Sequence, residues 1–225
     1  MNIFPYGDSK TQGITADDPA YAALGYGYVW KMLELIGQNT GQTAYELPAR
    51  VGRGGTSIQG FKNTVDSDLA TRPQTPDYIL VNIGTGDKSL TINAATSSNY
   101  GSVLDALHTK WPAAQVLCAL PWQPTVQASL AQFELIGNAI MTAVASRSWA
   151  RIGIDEKVVL GVGNDGATYT SVGHPTHDGY MRTAKAWLVA MFGQSGLTPA
   201  SGMGGVACPH CMGLSRYPAG RGART

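Results

Sequence analysis

Charge is scarce in this chain. Asp, Glu, Lys and Arg make up only 14% of its 225 residues, and the formal net charge is +1. Such a surface gives no electrostatic reason to bind nucleic acid, and it lacks the basic footprint of a protein that meets an anionic membrane. Long apolar runs are missing as well. No stretch approaches the roughly 18–20 consecutive apolar residues of a membrane span. Nor does the N-terminus have the basic opening and apolar run of a signal peptide. Met1 to Ser9 contains no Lys or Arg, and Asp8 falls where the apolar run belongs. Two origins stay open: an intracellular protein, or one whose leader has been removed. Cysteine is limited to Cys118, Cys208 and Cys211, which is no disulfide framework. Cys118 lies in an apolar run and reads as a small buried hydrophobe. What is present is the composition of an ordinary globular protein, long enough for one α/β domain with a sizeable core.

Strand-like and helix-like segments alternate along the chain, the pattern of a parallel sheet with helices on both faces. Asn2 to Tyr6 reads as a first short strand. Asp18 and Pro19 look like an N-cap and a first-turn proline, opening a helix to about Ile36 with Tyr21, Leu24, Tyr28, Met32 and Leu35 on one face and Gly37 placed to stop it. Ala44 to Val51 is a second strand, at a sheet edge because of Pro48. Ser57 to Leu69 reads as helix. Tyr78 to Ile83 is an apolar, β-branched run suited to a strand buried on both faces. Helix over Tyr100 to Trp111, strand over Gln115 to Leu120 and helix over Leu130 to Ala145 follow. Ile152 and Ile154 mark a fifth strand, and His177 to Phe192 is the last helix, with Tyr180, Ala184, Trp187, Leu188 and Met191 at helical spacing. Five such units make a three-layer α/β/α sandwich on a five-stranded parallel sheet. The right-handedness of crossovers narrows it to a flavodoxin-like winding. The expected domain is 1–193. Residues 194–225, rich in Gly, Ser, Pro and Ala, read as a Gly-rich C-terminal tail.

Four short motifs fall at ends of these elements, where an open parallel sheet binds its ligands. Gly7-Asp8-Ser9 follows the first strand. Gly52-Arg53-Gly54-Gly55-Thr56-Ser57 follows the second, with glycines that let backbone N–H groups approach a ligand. It has neither the Gly-Lys-Ser/Thr end of a phosphate loop nor the position of a dinucleotide fingerprint. Gly84-Thr85-Gly86-Asp87 follows the third strand. His174-Pro175-Thr176-His177 leads into the last helix, so two histidines compete for the role of general base. Each motif alone also fits an ordinary turn, cap or surface position.

Taken in order, a serine after the first strand, a glycine after the second, Gly-x-x-Asp after the third and His-Pro before the last helix resemble the four blocks of the SGNH (GDSL-type) hydrolase family, over residues 2–192. The resemblance implies that Ser9 is the nucleophile and that its own N–H contributes to the oxyanion hole. It implies that Gly54 is the oxyanion-hole glycine, with Gly55 as the alternative in a register one residue on, and that His174 is the catalytic histidine. Two positions depart from the family pattern. The third block usually carries an Asn that donates to the oxyanion, and here that position is Gly86. Loss of one such donor costs about 2.7–4 kcal/mol in a comparable hydrolase. A residue elsewhere or a backbone N–H has to take its place, or the enzyme is slow. The fifth block usually reads Asp-x-x-His-Pro, and here the acid position is Ser171. That leaves a Ser–His dyad, a backbone carbonyl on Nδ1, or an acid from elsewhere, for which Asp165 in the Gly-rich loop is the nearest candidate.

The function expected from this reading is cleavage of small ester or acetyl groups through an acyl-enzyme on Ser9, with no cofactor and no metal, on a small-molecule ester with a short acyl chain. Trp122 and Pro124 are candidates for the pocket wall, with ordinary packing as the alternative. Cys208-Pro209-His210-Cys211 has the letters of a redox or zinc motif but lacks the helical setting or second ligand pair that either requires. The missing Asn and Asp raise a rival reading, a non-catalytic carbohydrate-binding module on the same fold. A flavodoxin-like nucleotide or flavin binder is disfavoured, because the first loop carries the anionic Asp8 and no clear phosphate-binding run. The oligomeric state is not legible in the sequence.

Overall fold

In the computed structural model the described residues are 2–13, 27–40, 51–72, 74–123, 130–161 and 173–193, without the side chains of 37–40. They form five strands and seven α-helices. Strand β1 is Ile3–Gly7, β2 Val51–Gly52, β3 Tyr78–Asn82, β4 Gln115–Leu120 and β5 Ala150–Asp155. The helices are α1 Ser9–Gln12, α2 Tyr28–Thr40, α3 Ile58–Ala70, α4 Ala94–Lys110, α5 Leu130–Ala145, α6 Glu156–Leu160 and α7 His177–Phe192. A 3₁₀ turn, Thr85–Asp87, follows β3.

All strand pairs are parallel, in the order β2-β1-β3-β4-β5. This is the flavodoxin-like order, and it reverses direction around β1 and β3. The alternation of side chains along each strand separates two cores. Phe4, Tyr6, Ile79, Val81, Val116 and Cys118 face α3, α4 and α5. Ile3, Leu80, Leu117, Ala119 and Ile154 face α2 and α7. A sheet covered on both faces explains why β3 and β4 read as continuous apolar runs instead of alternating ones. Cys118 lies wholly within the first core, where burial pushes its thiol up to about 12.

The last helix buries the five side chains that its spacing singles out, Tyr180, Ala184, Trp187, Leu188 and Met191. Tyr28, Met32 and Leu35 line the buried face of α2 in the same way. Three details differ from the sequence expectation. Helix α2 begins at Tyr28, directly after Gly27, and it continues through Gly37 to Thr40. A side chain at Gly27 would lie 2.6 Å from Gly13 Cα and 2.7 Å from the Lys10 carbonyl, so a glycine is needed where α2 starts against α1. Helix α4 begins at Ala94, earlier than Tyr100, because Asn93 and Thr96 form a capping box that holds a polar first turn. Of the expected second strand, only its end at Val51 falls within the described residues. The Asp18-Pro19 cap, Tyr21, Leu24 and the segment 194–225 with Cys208 and Cys211 also lie outside them.

Candidate active site

Ser9 is the first residue of α1, two residues beyond the carboxyl end of β1. Asp8 is the N-cap, and it is buried. Its Oδ1 accepts the Lys10 N–H at 3.1 Å and its Oδ2 accepts the Thr85 N–H at 3.3 Å, while its own N–H donates to the Asn82 carbonyl at 3.0 Å. The carboxylate of Gly-Asp-Ser thus ties the first motif to the third. It is a structural anion, and it is spent on backbone donors.

The second motif is a turn set against α1. Arg53 N–H donates to the Gly7 carbonyl at 2.9 Å, and Gly54 N–H donates to Gln12 Oε1 at 3.0 Å. The Arg53 guanidinium folds back onto Asp68, which also accepts the Tyr6 hydroxyl at 2.9 Å. This contact holds the long side chain of Arg53 against α3. Ser57 caps α3 by accepting the Gly60 N–H at 3.2 Å. Gly55 has φ +72°, in the left-handed region, with open space around it.

The third motif packs directly on the second. A Cβ at Gly86 would lie 2.4 Å from the Thr56 carbonyl oxygen and 3.0 Å from that of Gly55. No side chain fits at position 86 while the second motif keeps this path. Next to it Asp87, buried, accepts the Ile58 N–H at 2.8 Å. Burial is the largest influence on this carboxyl. Together with the charge of Asp8 it outweighs the hydrogen bond from Ile58 and raises the pKa from 3.8 to about 6.

His174 precedes α7, whose N-cap Thr176 accepts the Gly179 N–H at 3.2 Å. The imidazole Nε2 lies 3.0 Å from Ser9 Oγ, across a separation of 165 residues. His177, the competing histidine, is the first residue of α7 and is exposed. Asp165, Ser171 and Pro124 lie outside the described residues. Trp122 is buried, with its indole N–H donated to the Gly161 carbonyl at 2.9 Å. Among the described residues no three His, Cys, Asp or Glu side chains come together as metal ligands, and no helix is long and apolar enough to cross a membrane.

A buried polar network that sequence reasoning missed lies beneath these motifs. Lys10, the residue after Ser9, forms an ion pair with Glu156, both wholly buried. Glu156 also accepts from Asn82 Nδ2 and from the Trp122 N–H, each at 2.9 Å. Lys10 Nζ also donates to the Trp122 carbonyl at 2.9 Å. A buried ion pair is tolerated when its remaining donors and acceptors are filled in this way. Gln123, also buried, donates from Nε2 to the Gly173 carbonyl and accepts from Lys88 Nζ at 3.2 Å. No periodic or compositional signal in the sequence marks Lys10 as buried.

The fold and this arrangement of motifs define the chain as having the SGNH (GDSL-type) hydrolase fold. Its structural neighbours include a carbohydrate esterase, a protein described as a GDSL-like lipase and one described as a lipolytic protein of the G-D-S-L family. It is similar to TesA, with a TM-score of 0.64 and 14% identity over 85% of this chain and 98% of the other. It is similar to the Clostridium thermocellum family 3 carbohydrate esterase, with a TM-score of 0.63 and 17% identity over 83% and 92%. A protein from Parabacteroides merdae described as a GDSL-like lipase matches with a TM-score of 0.63 and 16% identity over 84% and 94%. No protein-family model matches the sequence, and no curated protein matches it.

Proposed function

We propose that this chain is a serine hydrolase acting on small ester or acetyl groups through an acyl-enzyme on Ser9. The observation that carries this reading is the 3.0 Å contact between His174 Nε2 and Ser9 Oγ. That distance is what a general base and its nucleophile require. Esterase neighbours support the reaction class. An acetyl xylan esterase and a family 3 carbohydrate esterase among them support acetyl groups on a carbohydrate as the substrate type.

In the proposed reaction, His174 Nε2 takes the Ser9 hydroxyl proton as Oγ attacks the ester carbonyl. The carbonyl π electrons move onto oxygen, which the N–H groups of Ser9 and Gly54 stabilise. Gly86 offers only its backbone N–H to the same oxygen. Collapse of the intermediate breaks the bond to the alcohol oxygen, which leaves with the proton held by His174. Water then repeats the sequence on the acyl-Ser9 ester and releases the acid. The Gly54 N–H is donated to Gln12 Oε1, so an incoming carbonyl oxygen has to displace that amide. Asp165 is the proposed acid behind His174, and a Ser–His dyad is the alternative.

A non-catalytic carbohydrate-binding role gives no reason for a serine hydroxyl and an imidazole to meet. Hydrolysis of p-nitrophenyl acetate tests the choice. The wild type is expected to turn over, and Ser9→Ala is expected to fall by about 10³-fold or more. Equal rates for the two proteins contradict the proposal.

A further inference from the structure

The family's acid, which would hold the histidine in place, has no counterpart at position 171, yet His174 sits at bonding distance from Ser9. The question is what else fixes the loop that carries it. The carbonyl of Gly173, immediately before His174, accepts the Gln123 Nε2 amide. Gly173 adopts φ +76°, a left-handed conformation that this anchor holds against the helix start at His177. Gln123 is itself fixed. Its Oε1 accepts from Lys88 Nζ at 3.2 Å. Because an ammonium only donates, the oxygen must face Lys88 and the NH₂ must face Gly173. Lys88 follows directly on the Gly-x-x-Asp motif. The backbone of the preceding Trp122 is held from both sides, its N–H by Glu156 and its carbonyl by Lys10 Nζ. Lys10 is the neighbour of Ser9 in sequence.

A continuous buried chain of polar contacts therefore runs from the residue after Ser9, through Trp122 and Gln123, to the residue before His174. We propose that Gln123 is a positioning residue for the Ser9–His174 pair, which acts through the Gly173 carbonyl to set the distance between imidazole and hydroxyl. It fixes the loop that carries His174 and supplies no charge to the imidazole. The inference rests on the hydrolase reading above, since a binding module has no use for a fixed Nε2–Oγ distance. A misplacement of about 1 Å in such a pair costs on the order of 100-fold in rate.

Gln123→Glu is the sharpest test, because it keeps size and the Lys88 contact while replacing the N–H donors by a carboxylate oxygen. The probe is a fluorophosphonate that phosphonylates a reactive serine, with the modified residue identified by mass spectrometry. Its stoichiometry counts competent sites, and its rate reports the reactivity of each. Modification of Ser9 in the variant is expected to slow by about 10- to 100-fold per competent site. The KM for p-nitrophenyl acetate is expected to stay within about twofold, since only the reacting pair is displaced. A merely structural role would lower the number of competent sites and leave the rate per site unchanged, and that result overturns the proposal. A wild type that is not labelled at Ser9 removes the hydrolase reading itself, and the positioning role with it. If Gln123→Glu does not fold, Gln123→Met, which fills the same space without a donor, is read by the same criteria.

Discussion

A side chain at position 86 collides with backbone, and this changes how the absent Asn is understood. The Thr56 and Gly55 carbonyls occupy the volume that a Cβ would enter, so the glycine is required by the path of the neighbouring turn. Restoring the family residue is therefore expected to harm the protein. Gly86→Asn should destabilise it by about 1–3 kcal/mol, as overpacking against backbone does. It should also lower esterase activity, read by thermal unfolding and p-nitrophenyl acetate hydrolysis together. A gain in rate without loss of stability contradicts this view of the site. At this scale the sequence singled out the residues now proposed to bear chemistry. Ser9, His174 and the glycines stand out by type and order. It was silent about why Gly86 is glycine, because the reason is a contact with a carbonyl some thirty residues away. The choice of His174 over His177 came from the His-Pro order of the resemblance, and residue type alone did not separate the two.

Whole elements are tied to the site by single buried groups. Asp87 sits in the 3₁₀ turn after β3 and holds the first turn of α3 through the Ile58 N–H, at 2.8 Å. Burial raises its pKa from 3.8 to about 6. The folded state thus binds a proton more tightly than the unfolded chain between those values. The group favours folding most below about pH 4, and that advantage is lost as pH rises through 6. The shift corresponds to about 3 kcal/mol at pH 7. Asp87→Asn keeps an acceptor for Ile58 and removes the titration. Urea unfolding at pH 4 and pH 7 should show the wild type losing about 2 kcal/mol relative to the variant, and parallel behaviour of the two proteins refutes the assignment. Strongly periodic elements such as α5 and α7, and the buried runs β3 and β4, were legible because their packing faces are written in the spacing. The four residues of α1 and five of α6 were not, being too short to show a period. The polar first turn of α4 carries its signal in a cap instead of an apolar face. Gly37 failed as a stop because the helix goes on through it to Thr40.

On the scale of the molecule, the sheet order brings together groups that the chain keeps far apart. Lys10 and Glu156 are 146 residues apart, Gln123 and Gly173 are 50 apart, and Ser9 and His174 are 165 apart. The doubly wound topology collects the first three motifs at one rim, as alternation of strands and helices already implies. The buried braces under that rim leave no periodic or compositional trace, which is why the motifs could be listed from sequence and their support could not. One spatial relation underlies the whole account: the hydroxyl of Ser9 is made reactive by the imidazole of His174. The most direct test is the rate at which a fluorophosphonate modifies Ser9 in the wild type and in His174→Ala. Covalent labelling at Ser9 that slows by about 10³-fold or more without the imidazole is the predicted result. Labelling that is absent from Ser9, or equally fast in both proteins, would contradict it.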